Sequence, residues 1–379
     1  MRGTEDLSPG ARALVDAAFA DVDRSLLWDV HAHVVGMEGE GNGTWVHPHL
    51  SSHLHPLQRL RFDVYLAASG VEAGPGADEA YVERLLALHR AMNPAGKLLL
   101  LAFDARIAAD GAVDLEHSQF VTPDEYVLRL AREHADVAAC ASVHPYRTDA
   151  VERLERAAAA GTVCVKWLPN AMGIDPASPA CDAFYAKLVE LGLVLLTHTG
   201  TERAVHAEED QALGNPLRLR RALDAGVRVV AAHSGSLGRD EDLDLPAAER
   251  RALESFDLFL RLMGEKEYEG RLFGELSAVT FVNRSERVLR ELLCATELHP
   301  RFVNGSDYPL PAIDYLVSTR LLVHRGLLAG EDRAPLGEIF EANPLLFDYV
   351  LKRRLRVEGE EGTRRFAPIA FETGRLFVG

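Results

Sequence analysis

Short runs rich in Val, Leu, Ile and Ala alternate along the chain with longer amphipathic stretches. The strand candidates are 25–32, 97–103, 137–144, 162–168, 193–198, 226–233, 271–277 and 301–306. They are continuously apolar rather than alternating, the pattern of strands buried on both faces. Helical patterns fill the intervals, as in Asp149–Ala160, Asp182–Leu191, Pro216–Ala225 and Arg284–Leu293. Gly161, Gly192 and Gly226 follow the first three, each suited to a helix C-terminus that feeds the next strand.

Eight strands with intervening helices are the count for a (β/α)8 TIM barrel. A doubly wound open sheet is the runner-up, but it leaves polar residues at so many strand ends unexplained. The stretch 61–69 has strand-like composition, yet Leu57, Leu60, Val64 and Ala67 recur at helical spacing and predict a helix. Three additions decorate the barrel. Residues 34–56 form a long first βα loop carrying His47, His49, His53 and His55. Residues 104–124 form an insertion after strand 2 with an Asp110-Gly111 turn and a helix start at Thr122-Pro123-Asp124-Glu125. A C-terminal helical extension, Leu336–Leu355, precedes a short strand-like tail. No internal repeat or low-complexity linker divides residues 1–379, so a single domain is the simplest organisation.

The 379 residues are 47% hydrophobic and 26% charged, which is ordinary for a globular protein. With 41 Lys plus Arg against 57 Asp plus Glu, the formal charge is −16. Such a surface repels phosphates, so neither nucleic acid nor an acidic membrane is an expected partner. No apolar run approaches the ~20 residues of a membrane helix, and the first residues show no signal-peptide pattern. Cys140, Cys164, Cys181 and Cys294 form no C-x-x-C pair, and Cys140 and Cys164 read as buried small hydrophobes of a reducing compartment. The expectation is a cytoplasmic protein with a small-molecule substrate; the sequence leaves a homo-oligomer open.

Chemistry gathers where the strands end. The first candidate reads Leu-Leu-Trp-Asp-Val-His-Ala-His over 26–33, so His31 and His33 project from one face of an extended strand. Thr197-His198, Ala232-His233 and Gly305-Ser306-Asp307 close three further apolar runs. A lone histidine is ordinarily a satisfied core or surface residue, and that holds for most of the 15. A same-face pair at a strand end is different, because two converging imidazoles fill a core poorly and hold a metal well. Lys166 interrupts an apolar run, an expensive position for an unpaired ammonium. Its bland alternative is an ion pair across the lumen with Glu275.

These pieces together resemble the amidohydrolase superfamily, in the "amidohydrolase 2" branch that is similar to aminocarboxymuconate-semialdehyde decarboxylase. The resemblance rests on Asp29-Val-His-Ala-His33, Lys166-Trp-Leu-Pro-Asn170, the segment ending Leu-Thr-His198, Val230-Ala-Ala-His233 and Gly305-Ser-Asp307-Tyr-Pro309. It spans roughly residues 25–310 in the strand order one, four, five, six and eight. It implies a metal-dependent enzyme without choosing between hydrolase and decarboxylase members. It also implies that a lysine on strand four can be carboxylated and bridge two metals.

Imidazoles with a carboxylate suit Zn²⁺ or another first-row divalent ion, with Fe or Mn open and one or two ions per chain. The expected ligands are His31, His33, Lys166, His198, His233 and Asp307. Asp307 is also the expected proton shuttle, and His233 either polarises a substrate oxygen or adds a ligand. Such a centre activates water near neutral pH, giving hydrolysis of a small organic amide, ester or lactone. A non-oxidative decarboxylase of a small carboxylic acid is the alternative, and an iron redox enzyme or a non-catalytic binding protein ranks below both. Arg203, which follows Glu202, and Arg284, which follows Asn283, are expected to hold a substrate carboxylate, and His144 points to the same rim. Asp29 is expected to orient a loop or ligand.

Overall fold

The computed structural model describes residues 3–378 except 35, 37–40, 51, 73, 93–95, 109, 206 and 361. Its centre is one parallel sheet of eight strands. In chain order these are β1 (Asp29–His33), β2 (Leu98–Leu101), β3 (Val137–Ala141), β4 (Cys164–Trp167), β5 (Val194–His198), β6 (Arg228–Ala232), β7 (Leu272–Glu275) and β8 (Phe302–Val303). Each pairs with its sequence neighbour. The circle closes where β8 runs on beside β1. Val30 N–H donates to Asn304 O at 3.1 Å, Asp307 N–H to His31 O at 2.6 Å and His33 N–H to Tyr308 O at 3.1 Å. The architecture is the expected TIM barrel, with all eight strands found and most trimmed at their ends.

Two apolar surfaces exist because the strands alternate. Val30, Leu99, Leu101, Cys140, Cys164, Val194, Leu196, Val230 and Val303 pack together as a lumen-filling cluster. Ala32, Leu98 and Leu100 pack outward with Leu85, Val127 and Leu130 of the surrounding helices. β1 departs from strict alternation. Asp29 pairs with Leu98 and Ala32 with Leu100, so three steps on β1 match two on β2. This bulge lets Val30 and the next residue, His31, both face inward, and bulges re-aim side chains in just this way beside active sites.

The stretch 61–69 is helical, within Pro56–Ser69. The helix after Thr122-Pro123 begins at Asp124, but no side chain caps it; Asp124 Oδ1 instead accepts Ser142 N–H at 2.7 Å. The single terminal helix expected over Leu336–Leu355 is two, Arg333–Ala342 and Pro344–Arg354. Pro344 cannot donate a backbone hydrogen bond, and Asn343 turns extended (φ −159°) and caps Leu345 and Leu346 N–H. Gly161, Gly192 and Gly226 take φ of 98°, 66° and 92° after their helices. Among the described residues no helix is long and apolar enough to cross a membrane.

A candidate metal centre at the barrel mouth

The strand ends bring His31, His33 and Asp307 together, each offering a ligand atom, all within 4.8 Å of one another. His33 Nε2 lies 3.1 Å and His31 Nε2 3.4 Å from Asp307 Oδ1. His233 Nε2 is 4.0 Å from Asp307 Oδ2. The His31 and His233 rings stack at 5.1 Å, and the His198 and His233 rings meet edge-on at 5.0 Å. Lys166 Nζ sits 3.2 Å from His31 Nε2. All six expected ligands therefore reach one region.

His31 and His233 are held from behind through Nδ1, and His198 Nδ1 faces a carboxylate. Glu275 Oε2 lies 3.2 Å from His31 Nδ1 and Ser277 Oγ 2.7 Å from His233 Nδ1, while Glu202 Oε2 stands 3.4 Å from His198 Nδ1. Ser277 Oγ–H is itself given to Glu275 Oε2 at 2.6 Å, so His233 Nδ1 must be the donor in their contact. His31 and His233 thus present an unprotonated Nε2, the form that ligates a cation. A His233 that polarises a substrate oxygen by donating from Nε2 needs a second proton, which burial opposes. His198 Nε2 is buried and has no hydrogen-bond partner. Buried polar atoms are rarely left so, and a cation held opposite this nitrogen would account for it. The donor set, neutral imidazoles with a carboxylate, fits a divalent ion.

Electrostatics agree. Burial lowers the proton affinity of His31, assisted by Lys166, and that of His233. Burial also brings His198 down to about 4. Burial alone would raise Asp307, but His31, His33 and His233 together hold it well below the usual carboxylate range. It is ionised at neutral pH. Burial lowers Lys166 as well.

Backbone strain is concentrated here. Among the described residues, four other than glycine have φ in the left-handed region: His233 (58°), Ser234 (52°), Ala278 (56°) and Asp307 (62°). They follow β6, β7 and β8. Such residues cost about 1–3 kcal/mol each and persist where the surroundings over-determine them, typically at functional sites.

Above the cluster lies a cavity of about 100 Å³ lined by Tyr65, Phe103, Phe120, Leu168, Val205 and Leu310 with the site's polar residues beneath. The histidines of the first loop do not line it. The rings of His47, His49 and His55 meet in tilted pairs at 4.2 and 3.8 Å, and His53 meets Arg59. His144 is not brought to the cavity. It is wholly buried, with Nε2 on Met172 O at 2.9 Å and Nδ1 accepting Tyr146 N–H at 3.2 Å, so neither nitrogen remains for a substrate. Arg203 is exposed and outside the lining. Arg284 is buried, its Nη1 has no partner, and it is close enough to Asp307 and Glu202 for their charges to support its own. Asp29 Oδ1 accepts the backbone N–H of His31 (3.1 Å) and Ser306 (2.8 Å), so it orients backbone rather than a ligand.

The ion pair of Lys166 with Glu275 does not form. The Glu275 oxygens are taken by His31, Ser277 and His233 N–H instead. The sequence singled out Glu275 only as that ion-pair partner, and nothing marked Ser277.

The barrel mouth, lined by histidines and a carboxylate, could hold a metal ion. The family model described as Amidohydrolase matches residues 28–331, and the chain belongs to that family of enzymes. Solved structures similar to it include an uncharacterised TIM-barrel protein from Bordetella bronchiseptica, at 14% identity and TM-score 0.49, covering 86% of this chain and 99% of that one. A 5-carboxyvanillate decarboxylase from Novosphingobium aromaticivorans, crystallised with manganese and a nitrobenzoic acid, shares 11% identity over 94% of this chain and 98% of that one (TM-score 0.46). An N-isopropylammelide isopropylaminohydrolase from Burkholderia multivorans shares 17% over 86% and 74% (TM-score 0.40). No curated protein matches the chain.

Proposed function

We propose that the chain is a metal-dependent hydrolase of a small organic amide, ester or lactone. The observation that carries the reading is the convergence of His31, His33 and Asp307 beneath the cavity, with the unpartnered His198 Nε2 facing the same space. His31, His33, His198 and Asp307 would hold the ion, with His233 and Lys166 as further ligands. A divalent ion held there, Zn²⁺ by preference, would supply Lewis acidity and lower the pKa of a water at the site. Asp307 would take a proton from an attacking water and return it to the leaving group, a role its ionised state allows. Tyr65, Phe103 and Phe120 exclude bulk water from one side of the substrate.

Arg284 favours a second reading, a decarboxylase of a small carboxylic acid. A buried guanidinium with an unpartnered Nη1 beside the mouth is suited to a substrate carboxylate. Metal content of the purified protein, followed by ester, lactone and aryl-carboxylate panels, tests both. Turnover of esters or lactones supports hydrolysis, and CO₂ release from aryl carboxylates supports the lyase. A metal-free protein inactive on every panel overturns both.

A further inference from the structure

We infer that Glu275 is the positioning residue of the centre: one buried carboxylate on β7 that fixes which nitrogen two histidines present to the site. The affinity arm of its test rests on the metal-centre reading; the rest does not.

Glu275 is fully buried, and its oxygens make four hydrogen bonds. Oε1 accepts Ser277 N–H at 2.5 Å. Oε2 accepts His31 Nδ1–H at 3.2 Å, Ser277 Oγ–H at 2.6 Å and the backbone N–H of His233 at 3.1 Å. These four tie β1, β6 and β7 to a single group. Through His31 Nδ1 the carboxylate selects the tautomer whose Nε2 faces Asp307 and Lys166. Through Ser277 Oγ it makes the same selection at His233, because a hydroxyl that donates to the carboxylate can only accept from the imidazole. Through the His233 N–H, with Ser234 Oγ–H on Glu275 O at 3.0 Å, it holds two successive left-handed residues in place.

His31, His233 and Glu275 also offer ligand atoms within 4.8 Å of one another, as a second metal site would. The Ser277 hydroxyl occupies that space, 2.7 Å from His233 Nδ1, 2.6 Å from Glu275 Oε2 and 3.5 Å from His31 Nδ1. The group is a hydrogen-bond network behind the histidines. The neighbouring strand is shaped around it as well. A Cβ on Gly305 would stand 2.5 Å from Glu275 Oε1 and 2.6 Å from His31 Cβ, so glycine is required where β8 passes the carboxylate.

Carboxylates that hold the distal nitrogen of a ligating imidazole typically contribute 10- to 100-fold to metal affinity. The test uses the full chain with Glu275→Gln and Ser277→Ala. Zn²⁺ affinity is measured by chelator competition, and the ¹⁵N shifts of His31 and His233 are read in metal-free protein at mildly alkaline pH. Glu275→Gln is expected to weaken Zn²⁺ binding about 10- to 100-fold and to mix the tautomers of both histidines. Ser277→Ala is expected to mix only His233, with a smaller loss of affinity. Unchanged tautomers in both variants overturn the inference, whatever the affinity. A chain that binds no Zn²⁺ yet shows shifted tautomers overturns the metal reading and leaves the positioning role standing. Should Glu275→Gln fail to fold, Ser277→Ala decides the matter: an unshifted His233 refutes the relay.

Discussion

Two lysines of the barrel are equally hidden from water and differently satisfied. Lys352, fully buried in the helix Pro344–Arg354, donates to Asp348 at 2.6 Å and to Gly305 O at 2.7 Å. Lys166, 2% exposed on β4, has no carboxylate within ion-pair distance among the described residues; its hydrogen-bond partner is the imidazole of His31. The first sits in a completed network under the β8 turn. The second sits among groups with unspent capacity, beside the unpartnered His198 Nε2 and the strained His233 and Asp307. A buried polar group with all its bonds made is architecture. One held at a cost with bonds still to make is reserved for something that binds.

The sharpest way to break this contrast is at the histidine pair. Replacing His31 and His33 together with alanine should abolish activity and lower metal content while the fold persists. Full metal occupancy in that variant would sink the site assignment. Asp307→Asn keeps the shape and removes the basic oxygen, so the rate should fall on the order of 10²–10⁴. Steady-state kinetics at full metal loading check it, and an unimpaired variant would move the shuttle elsewhere.

The lysines themselves come next. Lys352→Met leaves Asp348 buried without its partner and, at alkaline pH where that carboxyl is ionised, should destabilise by about 3–5 kcal/mol in urea unfolding. The penalty should shrink as pH falls, because burial already pushes the Asp348 carboxyl up to about 7 and protonation then removes the charge. Lys166→Met should leave stability level or slightly raised while activity is lost. Its metal count sharpens the picture: one ion fewer marks a bridging lysine, and an unchanged count a single-metal centre. Equal destabilisation by the two substitutions would erase the distinction.

A further effect is a pH dependence of the metal-free protein. Burial brings His144 and His198 down to about 4, whereas the unfolded chain takes a proton near 6.5. Their contribution is whole above 6.5 and is lost progressively as pH falls toward 4, where both states are protonated. Each group weakens the fold by a few kcal/mol across that window. Metal at the centre should protect His198 and leave His144 unaffected, so a shift of the acid midpoint with Zn²⁺ measures the site's share.

Much of this was legible in the chain. Eight apolar runs, with imidazole or carboxylate closing the first, fifth, sixth and eighth, determine the barrel and nearly all of its mouth, because strand ends of a parallel barrel must converge. The period of two also put His31 and His33 on one face. It did not say which face. Val30 packs in the lumen, so an unbroken strand would send His31 outward to the helices. The bulge that brings both inward is a matter of register against β2, which no local pattern carries. Glu275 and Ser277 are likewise ordinary residues in the sequence. Only closure of the barrel sets them behind histidines 244 and 44 positions away. His144 errs the other way, its strand-end place suggesting the rim while local backbone groups claimed both its nitrogens. Periodicity fixes what lies at a strand's end; packing decides which way it points and what is left for it to bind.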